Sequence, residues 1–306
     1  MRRVLWMLPA MAVLLCACST GPSAGSADGQ PHPPAPATHS AASQASANAS
    51  TTPAAGRPAG SSAASVPMPP TAADGGPARF PPTATGVLHG KIIVVDPGHN
   101  GGNSLAASII NRLIWNGRET ETCDTTGAQT DRGYTEALFN WRVARYLAAD
   151  LRAVGATVVL TRTSDTGVGP CVTERAAIGN DAHANAAISV HADGGPPGGR
   201  GFAILEPVAD GLNNAIVGPS AILGADLRAA FAAGTGEPVS SYDGINGIQP
   251  RDDLAGINLS TVPKVFIECA NMRNAVDAGL VTSPRWQAAA ARTIAAGLTA
   301  FLRRAS

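Results

Sequence analysis

Residues Lys91–Gly102 read KIIVVDPGHNGG, and this stretch decides the class of fold. The run Ile92–Val95 is β-branched and continuously apolar, which is typical of a strand buried on both faces of a parallel sheet. Pro97 and Gly98 end the strand with turn-forming residues. His99 therefore lies just beyond the carboxyl end of a strand, where open α/β sheets place their ligands. A loop histidine that only hydrogen-bonds its own turn is the alternative, so the rest of the chain must decide.

The chain around this stretch alternates apolar strands with amphipathic helices. Val143, Leu147 and Leu151 recur near a 3.6-residue spacing, which predicts a long helix that Gly155 ends. The predicted strands are Ile92–Val95, Thr157–Thr161, Ala187–Val190, Gly201–Leu205 and Val265–Ile267, and the predicted helices are Tyr134–Val154, Thr173–Ala184, Ser220–Ala233 and Pro284–Arg303. This alternation predicts one α/β domain over residues 89–306, with a mostly parallel twisted sheet and helices on both faces.

Residues 103–132 interrupt this alternation with a long polar stretch that contains Trp115 and Cys123. Loops of this length in a compact domain are usually functional covers or mobile segments. Of the five cysteines, two lie near the N-terminus and Cys269 lies in an apolar strand. Cys123 and Cys171 remain, both in polar, turn-rich loops. They are natural disulfide partners in an oxidising compartment, provided that their Cα atoms come close enough.

The first 18 residues resemble an export signal. Arg2 and Arg3 precede an apolar stretch from Val4 to Leu15, which is too short for an ordinary membrane span. The residues that follow, Cys16-Ala17-Cys18, complete a stretch that resembles a bacterial lipobox, in which Cys18 would be lipidated after cleavage. Plain cleavage without lipidation is the alternative. We therefore expect an exported protein, in the periplasm or the cell wall, with a membrane tether through Cys18.

Residues 19–88 are almost entirely Ala, Pro, Ser, Gly and Thr, with Phe80 as the only aromatic side chain. Such a segment buries too little apolar area to offset its chain entropy, so it is expected to be a disordered linker. The linker would carry the folded domain away from a membrane, and a low-complexity segment of no selected length is the alternative. The formal net charge of the chain is +0 without a block of like charges, which argues against a nucleic-acid partner.

Three further residues occupy positions like that of His99. His191 follows the predicted strand Ala187–Val190, Glu136 lies in the first turn of the long helix, and Glu268 ends the strand Val265–Ile267. Each has a structural explanation of its own: a core histidine, a carboxylate that favours the helix N-terminus, and the partner of an arginine. These separate explanations are less convincing for the four residues together, because His99, His191 and Glu268 lie at strand ends and Glu136 lies at the helix start that faces them.

Two histidines and one carboxylate are the protein ligands of a common type of catalytic zinc site, with a fourth position for water. A further carboxylate is then needed to take a proton from that water and to return it to a leaving nitrogen. His99, Glu136, His191 and Glu268 supply this number of groups.

Four segments in this order carry a resemblance to a known family: DPGHNGG, GYTEALFNWRVARYLAADLRAVGATVVLTRTSD, ERAAIGNDAHANAAISVHADGG and KVFIECANMRN. They resemble the zinc-dependent N-acetylmuramoyl-L-alanine amidases of the amidase-3 type, over essentially all of residues 90–304. SVHADG replaces the commoner SIHAN, and IECANMRN replaces a glycine-containing segment. Both variants resemble the actinobacterial branch of the family.

The resemblance implies a function and a role for each site residue. His99, Glu136 and His191 would bind one Zn²⁺, and Glu268 would be the catalytic carboxylate. The family hydrolyses the amide between N-acetylmuramic acid and the first L-alanine of the peptidoglycan stem peptide, in turnover or remodelling of the wall. Arg251, in the stretch QPRDDL, is outside the residues carried over from the family; it would hold a substrate carboxylate or stabilise the oxyanion, and pairing with Asp252 or Asp253 is its alternative.

Further expectations complete this interpretation. Asp96 and Asn271 would orient the zinc histidines or Glu268. The Cys123–Cys171 bridge would pin residues 103–132 over the cleft, which would favour small soluble muropeptides over intact crosslinked wall. The protein would act as a monomer. Two other functions stay open at this point: a catalytically weak peptidoglycan-binding or regulatory protein that keeps the fold, and a zinc peptidase or deacetylase.

Overall fold

The computed structural model describes residues 76–304. The predicted export signal over residues 1–18, the lipidation site Cys18 and residues 19–75 of the predicted linker lie outside this range. The strands of the described part are β1 (Ala78–Phe80), β2 (Ile92–Pro97), β3 (Leu113–Trp115), β4 (Thr120–Thr122), β5 (Thr157–Leu160), β6 (Ala186–Asp193), β7 (Ala203–Pro207), β8 (Ile248–Arg251) and β9 (Lys264–Asn271).

The helices of the same part follow the amphipathic stretches of the sequence. They are α1 (Ala107–Ile110), α2 (Glu136–Ala153), α3 (Val172–Asp181), α4 (Asn214–Thr235), α5 (Ala255–Asn258), α6 (Ala275–Val281) and α7 (Pro284–Arg304), and a 3₁₀ turn covers Asn103–Leu105. The long helices α2, α4 and α7 correspond to three of the four predicted helices, and α3 corresponds to the fourth.

Seven strands form one sheet in the order β1-β5-β2-β6-β9-β7-β8. The four central strands β5, β2, β6 and β9 run parallel, and β8 runs parallel to β7. The strands β1 and β7 are antiparallel to their neighbours β5 and β9. The prediction of a mostly parallel sheet is therefore confirmed. The carboxyl ends of β2, β6 and β9 lie side by side at one edge of the sheet.

Helices cover both faces of the sheet, but unequally. One face carries α2, α4 and α7, whose buried side chains Phe139, Leu227 and Leu298 join the main hydrophobic core. The apolar helix α4 is long enough to span a membrane by length and composition, yet here it is a core helix packed against α7. The other face carries α3 over a much smaller core that includes Val94 and Ala187. The two-sided arrangement predicted from the sequence is confirmed.

The predicted end of the disordered linker at residue 88 is wrong. The strand β1 pairs with β5 at the edge of the sheet, with Phe80 opposite Val158. Phe80 and Leu88 are buried in the main core, and Arg152 donates a hydrogen bond of 2.7 Å to the carbonyl of Pro81. The folded domain therefore begins at least ten residues before the predicted boundary. Two apolar anchors are enough to order a short strand when a ready-made sheet edge accepts it.

Residues 103–132 contain more regular structure than the sequence predicts. Besides the 3₁₀ turn and α1, strands β3 and β4 form an antiparallel hairpin with Leu113 opposite Thr122. We call residues 103–132 the cover segment. The expectation of an irregular loop is therefore wrong for this hairpin, whose two three-residue strands are too short to produce a periodic pattern.

Candidate active site

The two histidines come from neighbouring strands of the sheet. His99 lies two residues after β2 and has φ +56°, in the left-handed region that few residues other than glycine adopt. His191 lies within β6, which is hydrogen-bonded to β2. A Cβ atom at Gly98 would collide with the imidazole of His191, so a larger residue there would displace that ring. The centroids of the two imidazole rings are 5.0 Å apart and the rings are nearly perpendicular.

Glu136 lies between the two histidines, at the first residue of α2. Its Oε1 is 3.3 Å from Nε2 of His99 and 2.9 Å from Nδ1 of His191. The amide of Ala128 donates a hydrogen bond of 2.7 Å to the other carboxylate oxygen. One nitrogen from each histidine and one oxygen from Glu136 lie within 4.8 Å of one another. The structure thus brings together the three residues that the sequence analysis proposed as metal ligands.

The charges of His99 and Glu136 stabilise each other. Burial opposes a charge on His99, but the carboxylates of Glu136 and Asp124 outweigh burial and raise the pKa of His99 to about 10. Burial would likewise raise the pKa of Glu136, yet the two histidines hold this pKa well below its usual range. The site therefore favours positive charge next to the Glu136 carboxylate, and a proton and a metal ion would compete for the same donor atoms.

Outer hydrogen bonds hold both imidazoles. Nδ1 of His99 is 3.3 Å from Oδ1 of Asp124 and 3.2 Å from the carbonyl of Thr125. Nε2 of His191 is 3.1 Å from Oγ of Ser189, which donates a hydrogen bond of 2.9 Å to Asp96. Partners of this kind fix the ring orientation of metal-binding histidines.

The predicted orienting roles have different outcomes. Asp96 reaches His191 through Ser189, and Asp124 was missed by the sequence analysis. The role given to Asn271 is wrong, because its amide donates hydrogen bonds of 2.8 Å to the carbonyls of Pro196 and Gly199. Asn271 therefore holds a neighbouring loop, away from the imidazoles.

Glu268 lies beside His191 in the sheet, since the two residues are opposite each other in the pairing of β6 with β9. No group in the described part of the chain forms a hydrogen bond with its buried Oε2 atom. Burial, followed by the charges of Glu136 and Asp193, raises the pKa of Glu268 well above its ordinary value. A carboxyl group of this kind, unpartnered and raised in pKa beside a cluster of donor atoms, is suited to proton transfer.

Arg251 ends β8 and forms a bidentate ion pair with Asp253, with N–O distances of 2.7 and 2.6 Å. This is one of the two pairings that the sequence analysis offered as the alternative to substrate binding. The positive charge of Arg251 also acts on Glu268 and opposes the rise of its pKa. The guanidinium is therefore held within electrostatic reach of the candidate catalytic carboxyl.

The predicted disulfide between Cys123 and Cys171 is present, with a Cα–Cα distance of 4.7 Å. It joins the cover segment to the N-terminus of α3, where the amide of Val172 also donates a hydrogen bond to the carbonyl of Cys123. A cavity of about 140 Å³, open at its mouth, lies beneath the cover segment. Its lining includes His99, His191, Glu121 of β4 and Ala255 of α5. The histidines thus face a space that a small ligand can enter.

Comparison with known proteins gives a consistent result over the described domain. The Amidase_3 family model, described as N-acetylmuramoyl-L-alanine amidase, matches residues 93–300. The chain is 38% identical over 216 residues to N-acetylmuramoyl-L-alanine amidase Rv3717 of Mycobacterium tuberculosis, covering 70% of this chain and 88% of that protein.

Solved structures show the same similarity. Ami1, an N-acetylmuramyl-L-alanine amidase of Mycobacterium smegmatis, matches with a TM-score of 0.67 and 42% identity, covering 70% of this chain and 98% of that one. The apo form of Ami1 from Mycobacterium abscessus matches with a TM-score of 0.66 and 38% identity, covering 70% and 99%.

Proposed function

The chain belongs to the N-acetylmuramoyl-L-alanine amidase family, and from this premise we propose that it hydrolyses its substrate with one zinc ion held by His99, Glu136 and His191. The bond cleaved is the amide between N-acetylmuramic acid and the L-alanine of the peptidoglycan stem peptide. The observation that carries the metal assignment is the convergence of two imidazole nitrogens and one carboxylate oxygen within 4.8 Å.

The donor set fits zinc. Two histidines and a carboxylate, with one position open for water, form a common type of catalytic zinc site. Ligand bonds of about 2.0–2.2 Å place neighbouring donor atoms a little over 3 Å apart in a tetrahedral site, and Glu136 Oε1 is 3.3 and 2.9 Å from the two imidazole nitrogens. When bound, zinc supplies a Lewis acid for the amide carbonyl and lowers the pKa of water.

Glu268 is the proton-transfer group in this proposal. Its unpartnered Oε2 takes a proton from the attacking water and then delivers it to the departing nitrogen of the alanine. Its raised pKa suits the second step, in which the carboxyl must be an acid. Asp124 and Ser189 keep the two imidazoles oriented throughout, and Arg251 holds a carboxylate of the stem peptide while it remains beside Asp253.

The remaining parts of the proposal concern localisation and oligomeric state. Residues 1–18 direct export, Cys18 tethers the protein to the outer face of the cytoplasmic membrane, and residues 19–75 act as a linker. The enzyme acts as a monomer on peptidoglycan or muropeptide fragments. All four candidate groups for zinc hydrolysis meet at one edge of the sheet, which favours an active enzyme over a weakly catalytic binding protein.

Two measurements on the purified full chain test this proposal. Elemental analysis is expected to find one zinc per chain, which His191→Ala loses and His89→Ala retains, because His89 is exposed on the surface. Mass spectrometry of a muropeptide digest is expected to find free lactyl-muramic ends together with intact stem peptides. Cleavage within the peptide would indicate a peptidase, loss of acetyl groups a deacetylase, and full zinc in His191→Ala would refute the ligand set.

A further inference from the structure

Arg175 is a buried arginine of α3 that lines the same cavity as the two histidines. Its guanidinium lies behind the two histidines, where only 3% of the side chain is exposed. We propose that Arg175 is a positioning residue that orients both histidine ligands at once, by bridging the two carboxylates that hold them. This inference rests on the proposed zinc site and adds a residue that acts through other side chains and through the backbone at His99.

The first connection runs from Arg175 to His191. Nη1 of Arg175 is 2.8 Å from Oδ1 of Asp96. The other oxygen of Asp96 accepts the hydrogen bond from Ser189, whose hydroxyl lies against Nε2 of His191. Asp96 is buried as well, so it retains its charge only while cations lie next to it. Loss of the guanidinium fork would therefore change the orientation of the Asp96 carboxylate and, through Ser189, that of His191.

The second connection runs from the same guanidinium to His99. Nη2 of Arg175 is 3.3 Å from Oδ2 of Asp124, and the opposite oxygen of that carboxylate is 3.3 Å from Nδ1 of His99. The two connections end on the imidazole nitrogens that face away from Glu136. The nitrogens that face Glu136 remain for the metal. One side chain therefore holds both ligand rings from behind.

Arg175 also holds the backbone on which His99 lies. Nη1 donates a hydrogen bond of 2.8 Å to the carbonyl of Pro97, and Nη2 donates one of 3.0 Å to the carbonyl of His99. The positive φ of His99 is unfavourable for a residue with a Cβ atom and persists only where its surroundings impose it. The planar fork of arginine reaches these two carbonyls and two carboxylates together. A lysine carries its three N–H donors on one nitrogen, so it cannot contact all four of these groups at once.

A second buried arginine provides a matched control. Arg162 is 1% exposed and donates hydrogen bonds to the carbonyls of Pro97 and Gly98. Its ion-pair partner is Asp165, at 3.0 Å. Neither Asp165 nor any other carboxylate paired with Arg162 in the described domain contacts a histidine ligand. Arg162 therefore shares the burial of Arg175 and part of its backbone role, but lacks the two connections to the imidazoles.

The experiment compares zinc affinity in the full-length chain, Arg175→Lys and Arg162→Lys, by competition with a chromogenic chelator. The free energy of unfolding of each zinc-free protein is measured in parallel. Arg175→Lys is expected to bind zinc about 10–100-fold more weakly, the usual effect of losing an outer partner of a metal ligand. Arg162→Lys is expected to lose stability with little change in affinity. Equal affinities in the two variants would overturn the inference.

Two smaller substitutions keep the inference testable if Arg175→Lys does not fold. Ser189→Ala cuts the connection to His191, and Asp124→Asn weakens the connection to His99, while both leave the guanidinium in place. Each is expected to weaken zinc binding, and unchanged affinity in both would refute the bridging role. If the unaltered chain binds no zinc, the metal assignment itself fails. If it binds zinc and Arg175→Lys binds equally well, only the role of Arg175 fails.

Discussion

The catalytic edge of the sheet and the cover segment beside it are built in opposite ways. The catalytic edge consists of β2, β6 and β9, whose inner residues Val95, Ile188 and Ile267 are completely buried. The cover segment exposes large apolar side chains, with Leu105 94%, Leu113 68% and Trp115 60% exposed. The two histidine ligands and Glu268 therefore follow well-packed strands, whereas the cover segment has little hydrophobic core of its own.

The cover segment is attached to the domain by polar contacts. Three of these contacts join the hairpin to the start of α5 and the turn before it. Asn116 donates a hydrogen bond of 3.1 Å to the carbonyl of Asp253, and Arg118 pairs with Asp252 at 2.9 Å. Glu121 accepts a hydrogen bond of 3.1 Å from the amide of Ala255. Burial, followed by the charges of nearby carboxylates, raises the pKa of Glu121 to about 7. Water competes well with contacts of this kind, so the disulfide is the strongest attachment. The difference teaches that access can be changed through the hairpin without touching the ligands, whereas Asp124 of the same segment contacts His99 and belongs to the chemistry.

The largest effect is expected on the catalytic edge. Glu268→Gln removes proton transfer while it preserves shape and leaves the three ligand residues intact. Turnover of a muropeptide is expected to fall by about 10²–10⁴-fold, the usual contribution of a general acid–base group. The zinc content should stay at one per chain. Steady-state kinetics with elemental analysis checks both results.

A matched carboxyl elsewhere controls for burial. Glu206 of β7 is also half-buried, and burial raises its pKa to about 7. Its side chain lies against Gly224 of α4, on the other face of the sheet. Glu206→Gln should leave turnover near that of the unaltered protein. Near-normal activity in Glu268→Gln, or loss of its zinc, would contradict the role given to Glu268.

The next effect concerns the attachment of the cover segment. The double change Cys123→Ser/Cys171→Ser opens a loop in which the two positions are 48 residues apart. The free energy of unfolding is expected to fall by about 2–4 kcal/mol, because the unfolded chain regains conformational freedom. Denaturant titration of both proteins measures the change, and the unaltered protein under reducing conditions should match the variant. An unchanged midpoint would show that the bridge adds no stability.

The smallest effect is expected when the hairpin alone is altered. Replacing residues 113–122 by a short Gly/Ser linker uncovers the cavity but keeps the bridge and every candidate catalytic group. We expect the rate on intact crosslinked sacculi to rise several-fold relative to the rate on small muropeptides. The measurement is the ratio of the two rates in each protein. If the ratio is the same in both, the cover segment does not select substrates by size.

The difference between the catalytic edge and the cover segment also explains which residues could be predicted from the sequence. His99, His191 and Glu268 each end a β-branched run, and Glu136 begins a periodic helix, so local patterns placed all four. Ser189 was also within reach, because it lies two residues before His191 on the same face of β6. These residues depend on short-range regularities of the chain.

Other parts depend on contacts that are distant in sequence. Asp124 contacts His99 across 25 residues of chain, and Arg175 lies 51 residues further along than Asp124. The strand β1 is ordered by the edge of β5, which no pattern around Phe80 reveals. The choice of Asp253 over Asp252 as the partner of Arg251 is set by the turn after β8. None of these pairings produces a recognisable pattern in the local sequence.

The Cys123–Cys171 bridge also gives the chain a covalent ring that contains α2, β5 and Glu136, while His99, His191 and Glu268 lie outside it. A protease that cut beside the exposed Arg132 would divide the backbone into two pieces still joined through sulfur. Glu136 and His191 would remain on one piece, and the bridge would keep the piece that carries His99 attached to them. The nicked protein would migrate as one molecule until a reductant separated the two pieces.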